Sequence, residues 1–237
     1  MENKNKGVRL SSPSVRYVAI LDDDDTYLPR FLERTVEALD FDSELMAVTT
    51  DCELRSQDGK FIKYYPHGQR SFWFVGLGGG SVIRKDIFTK FGIWWDRDMV
   101  FEDWDFGLRV AKNHKVGGIS EPLRIYYRYH MKMGESMSTM YNKTTPQEVL
   151  ERFYNKYKDV FRAAGPEAFA TVHGVTGKML VRAGHAKAGR KHLWESFRLF
   201  PTVSAFAYWV ISCVAPSAFT SVRLMIWKNK IKGMFKK

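Results

Sequence analysis

Asp22, Asp23, Asp24 and Asp25 stand in a row behind the apolar run Val18-Ala19-Ile20-Leu21. Adjacent carboxylates oppose one another's ionisation, so a stable cluster needs a compensating positive charge. A divalent metal, or a substrate polarised toward positive, would supply it. Three further stretches carry chemistry. Gly76 to Gly80 read "GLGGG", which lets backbone approach a ligand closely. Glu102-Asp103 open an amphipathic stretch, "EDWDFGLRVAKNHK", where a helix start favours acids. "LRIYYRYH" ends on Arg128 and His130, groups suited to phosphate.

One chemistry uses all four stretches. A nucleotide-sugar donor leaves behind a diphosphate, and Mg2+ or Mn2+ takes only one or two ligands from protein, the rest from phosphate and water. Acids at a strand end suit such a metal, which neutralises the charge on the departing group. A second carboxylate elsewhere must take the proton of the acceptor hydroxyl, and Glu102-Asp103 can provide it.

These residues must be positioned by regular elements. "VRYVAIL" reads as a buried strand ending at the acids, and "PRFLERTVEALD" as a helix opened by Pro29. "LMAVTTDCEL" and "KFIKYY" read as strands joined by a turn at Asp58-Gly59. "SVIRK" reads as a short strand, "KDIFTKFG" as a short helix and "LRIYYRYH" as a strand. Beyond residue 145 the periodicity is helical, over Pro146–Phe161, Pro166–Ala183 and His185–Phe200. Strands alternating with helices, then helices alone, predict an α/β sheet domain over 1–145 and a helical segment over 146–237. Ligands of open α/β sheets bind beyond the carboxyl ends of the strands, where the four stretches would meet.

"LDDDDTYLPRFLE", "GGGSVIRKDIFTKFG", "FEDWDFGLRVAK" and "LRIYYRYH", in that order, resemble the glycosyltransferase family 2 pattern of the GT-A fold, from about Asn5 to His130. The resemblance implies a Rossmann-like mixed sheet and an inverting sugar transfer. It makes Asp22 and Asp24 the DxD pair, with Asp24 the metal ligand and Asp22, Asp23 and Arg128 toward the donor. The four-acid run leaves Asp23 and Asp25 open to a second register. It makes Asp103 the base, with Glu102 the second choice. Gly79, Gly80, Ser81 and Trp104 would line the sugar and acceptor pocket, and His130 would assist the metal. The family's domain ordinarily begins with further α/β units, so about 60–90 residues of it are expected to be missing before Met1, at about 30 residues per unit.

Two other functions compete. "VAILDDDDT" also matches the first motif of haloacid-dehalogenase-type phosphatases, with Asp22 as nucleophile and Asp24 as acid. That family's later lysine and second acid pair find no good counterpart, since the stretch before Glu102 is charged. A truncated glycosyltransferase-like protein without activity is the other. A plainer role for the acids is to cap the Pro29 helix, with Asp25 or Thr26 as N-cap.

Composition bears on partners. The net charge is +11 in 237 residues, and residues 168–237 hold one acid, Glu195, so the excess lies there. From Leu199 to Val222 no residue is charged, but Pro201 and Pro216 interrupt the stretch. "RLMIWKNKIKGMFKK" then mixes basic and apolar residues in the manner of a helix lying among lipid headgroups. The expected partners are a nucleotide-diphosphate sugar, a glycan or lipid-linked acceptor and an anionic membrane surface. The expected location is cytoplasmic and peripheral at the membrane's inner face. No nucleic-acid recognition motif is present, and Cys52 and Cys213 make no disulfide framework or metal-ligand pattern.

Overall fold

A computed structural model describes residues 2–66, 76–91, 94–96, 98–128 and 145–217, with the Arg128 side chain outside that set. The chain divides into two compact units, Met1–His130 and Met131–Lys237.

The first unit is mixed α/β, as expected. Its strands are β1 (Tyr17–Ile20), β2 (Asp25–Tyr27), β3 (Leu45–Ser56), β4 (Phe61–Tyr65), β5 (Ser81–Arg84) and β6 (Lys115–Arg128). They join in the order β1-β5-β3-β6-β2, with β4 added to β3. Only β3 and β6 run parallel; the other pairs are antiparallel. Because β5 opposes both β1 and β3, the strands β1, β3 and β6 point the same way. Their carboxyl ends therefore share one edge.

Alternation along the strands splits the core. Ala47 and Ile83 pack with Ile20, Phe88, Trp95 and Phe106 on one face, beside Val8 of α1 (Glu2–Leu10), α3 (Ile87–Lys90) and α4 (Glu102–Ala111). Their neighbours Val48 and Val82 pack with Leu123 on the other, under Phe31 and Leu39 of α2 (Phe31–Phe41). This is the period-two signature of a sheet covered on both sides.

Two local expectations are corrected. Asp25 does not cap the following helix: it lies in β2, opposite Tyr126. The residue before α2 is Arg30, with no side-chain cap bond. Tyr27 stacks on Phe31 at 3.7 Å between ring centres, so β2 joins the sheet edge to the helix it precedes. β6 also starts eight residues before the stretch that reads as a strand, running through the glycines at 117 and 118 beside β3.

The second unit is helical, as expected: α5 (Gln147–Ala163), α6 (Pro166–Arg182), α7 (Ala186–Leu199) and α8 (Val203–Val214). The helices α6 and α7 meet through glycine. A methyl at Gly177 would lie 2.8 Å from the Gly189 carbonyl oxygen, and one at Gly189 would lie 2.7 Å from that of Gly177. His173 and His192 are packed 5.0 Å apart against Tyr154, and the Nδ1 of each is buried without a hydrogen-bond partner. Burial holds His173 down at about 4, with the neighbouring His192 adding to the effect. The folded unit therefore binds fewer protons than the unfolded chain between about 4 and the ordinary 6.5. Stability is full above that window and declines as pH falls through it. Urea unfolding midpoints are expected to drop between pH 7 and pH 4.5, and His173→Phe is expected to reduce that drop, with His192, also held down by burial, contributing the same sign.

Candidate functional site

The site is built around a glycine turn with one acid on each side. β1 ends at Ile20, and the chain turns through Asp22 to Asp25, whose N–H donates to the Asp22 carbonyl at 3.1 Å. The Gly80 N–H donates to the Ile20 carbonyl at 3.1 Å, which sets the glycine turn beside the acids. No β-carbon fits at Gly79, because the Asp22 carboxylate occupies its place. Gly80 has φ +82, and a β-carbon there would lie 2.6 Å from Arg124 Nε. At Gly80 both the left-handed backbone and the close approach exclude a side chain.

The other end of the turn belongs to Asp103. Its carbonyl accepts from the Leu77 N–H at 2.9 Å, and its Oδ2 would lie 3.2 Å from a methyl on either Gly76 or Gly78. The Leu77 carbonyl accepts from the Trp95 indole at 2.7 Å, so both backbone groups of Leu77 are held. Asp22 and Asp103 thus flank one five-residue segment, close enough for the Asp22 charge to oppose ionisation of Asp103.

α4 delivers Asp103 from a strained start. Phe101, the residue before it, has φ 59 and ψ 53, a left-handed conformation that bulky side chains rarely adopt. Its carbonyl still accepts from the Asp105 N–H at 2.8 Å. Burial raises the Asp103 carboxyl above the ordinary carboxylate range, against hydrogen bonding from the Trp104 N–H and the charge of Lys4. Glu102 is raised too, by burial first and by Asp103 second. Both acids hold their protons to a higher pH than exposed carboxyls would.

The four consecutive acids have different environments. Asp25 is buried and accepts from Arg124 Nη1 at 2.9 Å. Burial lifts it to about 6, against the pull of Arg124 and with help from the charges of Asp22 and Asp24. Asp22 pairs with the Lys4 ammonium at 3.2 Å. Asp23 and Asp24 are exposed and make no ion pair with another described residue. Among the described residues, two of the four are thus paired with cations of the chain, and two face solvent without an ion pair. Lys4 and Arg124 were not singled out by their sequence context. The alternation Arg124, Tyr126, Arg128 along a strand was a usable signal for Arg124, since it places all three on one face of β6. Lys4 gave none.

Among the described residues no three His, Cys, Asp or Glu side chains converge to hold a metal. His130 lies outside the described residues, as does the Arg128 side chain. The Ser81 hydroxyl is turned to the Gly76 carbonyl at 3.4 Å, closing the glycine turn. Trp104 is buried, edge-on to Phe101.

A relative carries a name that bears on this arrangement. The chain is 28% identical over 128 residues to an uncharacterized glycosyltransferase, YwdF, of Bacillus subtilis (strain 168). The match takes in 48% of this chain and 44% of that protein, so the chain spans less than half the length of this curated relative. No family model matches the chain.

Gly80→Ala is expected to cost about 1–3 kcal/mol, from backbone strain and overpacking together. Gly59 has the same φ, +82, with nothing near its would-be β-carbon, so Gly59→Ala carries the backbone cost alone. Denaturant titration of both variants should show Gly80→Ala the more damaging, the difference being the contact with Arg124.

Proposed function

We propose that the chain is an inverting glycosyltransferase of the family 2 type, transferring a sugar from a nucleotide-diphosphate donor to an acceptor hydroxyl of a polysaccharide or lipid-linked glycan. The observation that carries the proposal is the glycine turn with Asp22 on one side and Asp103 on the other. Acids 81 residues apart in the chain then address one place, as a displacement with separate donor and base groups requires. The name of the relative agrees with it.

Asp103 is the base. Its burial keeps water from competing for it, and its raised affinity for protons suits it to accept one from a hydroxyl. Glu102 is the second carboxyl at the same helix start. Asp22, Asp23 and Arg128 face the donor; Gly79, Gly80, Ser81 and Trp104 shape the pocket for sugar and acceptor.

Mg2+ or Mn2+ fits the residues present. A hard divalent cation bound with a diphosphate takes few protein ligands, and Asp24 is an exposed carboxylate that makes no ion pair among the described residues. Asp24 would hold it, with His130 as a further ligand. The ion supplies charge neutralisation to the leaving diphosphate. On the protein's side, Arg124 keeps Asp25 out of that role by engaging it in the sheet.

Release of nucleoside diphosphate from a panel of nucleotide sugars, with and without acceptor glycans, tests the reaction. Asp103→Asn is expected to lower kcat by about 10²- to 10⁴-fold while leaving donor binding in place. Asp24→Ala is expected to abolish Mn2+-dependent binding of nucleoside diphosphate in a calorimeter. The rate should fall on the acid side at a higher pH than for an exposed carboxylate, because the base must be ionised and burial raises its pKa. A trapped phosphoaspartate at Asp22 would select the phosphatase chemistry instead.

We further propose that the C-terminal unit rests on an anionic membrane surface. No helix among the described residues is long and apolar enough to cross a membrane. α8 is 12 residues long and presents exposed Val203, Phe206 and Val214, with Trp194 of α7 exposed as well. Apolar side chains in water next to a basic sequence are the ingredients of interfacial binding. Flotation with vesicles containing anionic lipid is expected to carry the protein at low salt and lose it at high salt. Phe206→Asp should weaken flotation without altering the salt dependence of what remains.

A further inference from the structure

We propose that Lys4 is a positioning residue of the site: its ammonium, paired with Asp22, withholds that carboxylate from a divalent cation and directs the cation to Asp24. The proposal rests on the transferase reading for the role of the cation, but not for its own test.

Lys4 is fixed where this requires. α1 is anchored by Val8 in the core and by Asn5, whose side-chain amide donates to the Trp95 carbonyl at 2.9 Å and accepts from the Trp95 N–H at 3.3 Å. The Trp95 indole in turn holds Leu77, the residue whose N–H is bound to Asp103. The backbone beside Lys4 is therefore tied through one tryptophan to the glycine turn. From that anchor the ammonium reaches Asp22 Oδ1 at 3.2 Å, and its side chain is 23% exposed. Its charge also draws on Glu102 and Asp103.

The consequence follows from the sign of the charges. A doubly charged ion held at Asp22 would be repelled by the ammonium 3.2 Å from that carboxylate. Asp24, two residues on, is exposed and makes no ion pair among the described residues. The sequence run of four equivalent aspartates is thereby made unequal. Asp25 is taken by Arg124, Asp22 by Lys4, and Asp24 is left with Asp23 for an ion from solution.

Lys4→Met removes the charge and keeps most of the length of the side chain. Mn2+ binding, read from the electron paramagnetic resonance of the free ion, is expected to tighten by roughly ten-fold, the scale set by one unit charge acting on a divalent ion a few ångströms away through a partly exposed site. Lys4→Arg should keep the wild-type affinity. In Lys4→Met/Asp22→Asn the gain should vanish, because it belongs to Asp22. Lys4→Gln gives the same comparison if the methionine variant does not fold, as judged by circular dichroism. Unchanged or weaker Mn2+ binding in the folded neutral variants overturns the proposal, as does a gain that survives Asp22→Asn. The measurement needs no donor sugar. A protein that transfers no sugar yet shows the tightening, lost with Asp22, would retain Lys4 in this role and lose the transferase reading.

Discussion

Four carboxylates in one turn can persist only if their mutual repulsion is met by positive charge, and the arrangement around Asp22–Asp25 is organised by that need. The buried Asp25 is matched by Arg124 from the neighbouring strand. A pair of this kind is worth little as a source of stability, because desolvating both charges offsets their attraction, but losing one partner leaves the other uncompensated at a cost of about 3–5 kcal/mol. Its value is positional. Arg124 also fills the space beneath Gly79 and Gly80, so the same guanidinium that answers Asp25 determines how the glycine turn lies. The turn in turn separates Asp22 from Asp103. Charge compensation and the geometry of the glycine turn are one construction.

Glycine is required there for reasons of contact. The Asp22 carboxylate lies where the β-carbon of residue 79 would be, and Arg124 where that of residue 80 would be. Leu77 between Gly76 and Gly78 is the only residue of the turn with a bulky side chain, and it is wholly buried beside Phe106 and Trp95 in the core. The backbone of the turn is thus pressed between acids and a guanidinium on one side and pinned by an apolar anchor on the other. The left-handed Phe101 adds a second constraint, since it sets the direction in which α4 leaves and so where Asp103 points.

Much of this could be read from the residues in order. The apolar run before the acids, the glycine turn leading into a strand and the acid pair at a helix start were each legible, because period-two and 3.6-residue patterns and acids at helix starts are local signals. The mixed α/β sheet followed by helices was legible for the same reason. What escaped depended on pairing across the chain. β2 is three residues long and its first residue is an aspartate, so nothing in its own composition marks it as a strand; β6 makes it one. The nine-residue α1 is strongly polar, and only Val8 and Asn5 meet the interior. Lys4 therefore looked like any solvated lysine, and its proximity to an acid 18 residues later is a fact of tertiary structure. Which of the four aspartates is engaged is likewise settled by partners on other elements.

Leu77 has one further implication. With its amide committed to the start of α4 and its carbonyl to the indole of Trp95, Leu77 has both of its backbone groups engaged. Between two glycines, an anchored leucine holds the middle of the segment, so the close approaches of Asp22 and Asp103 on either side of it are referred to one fixed point.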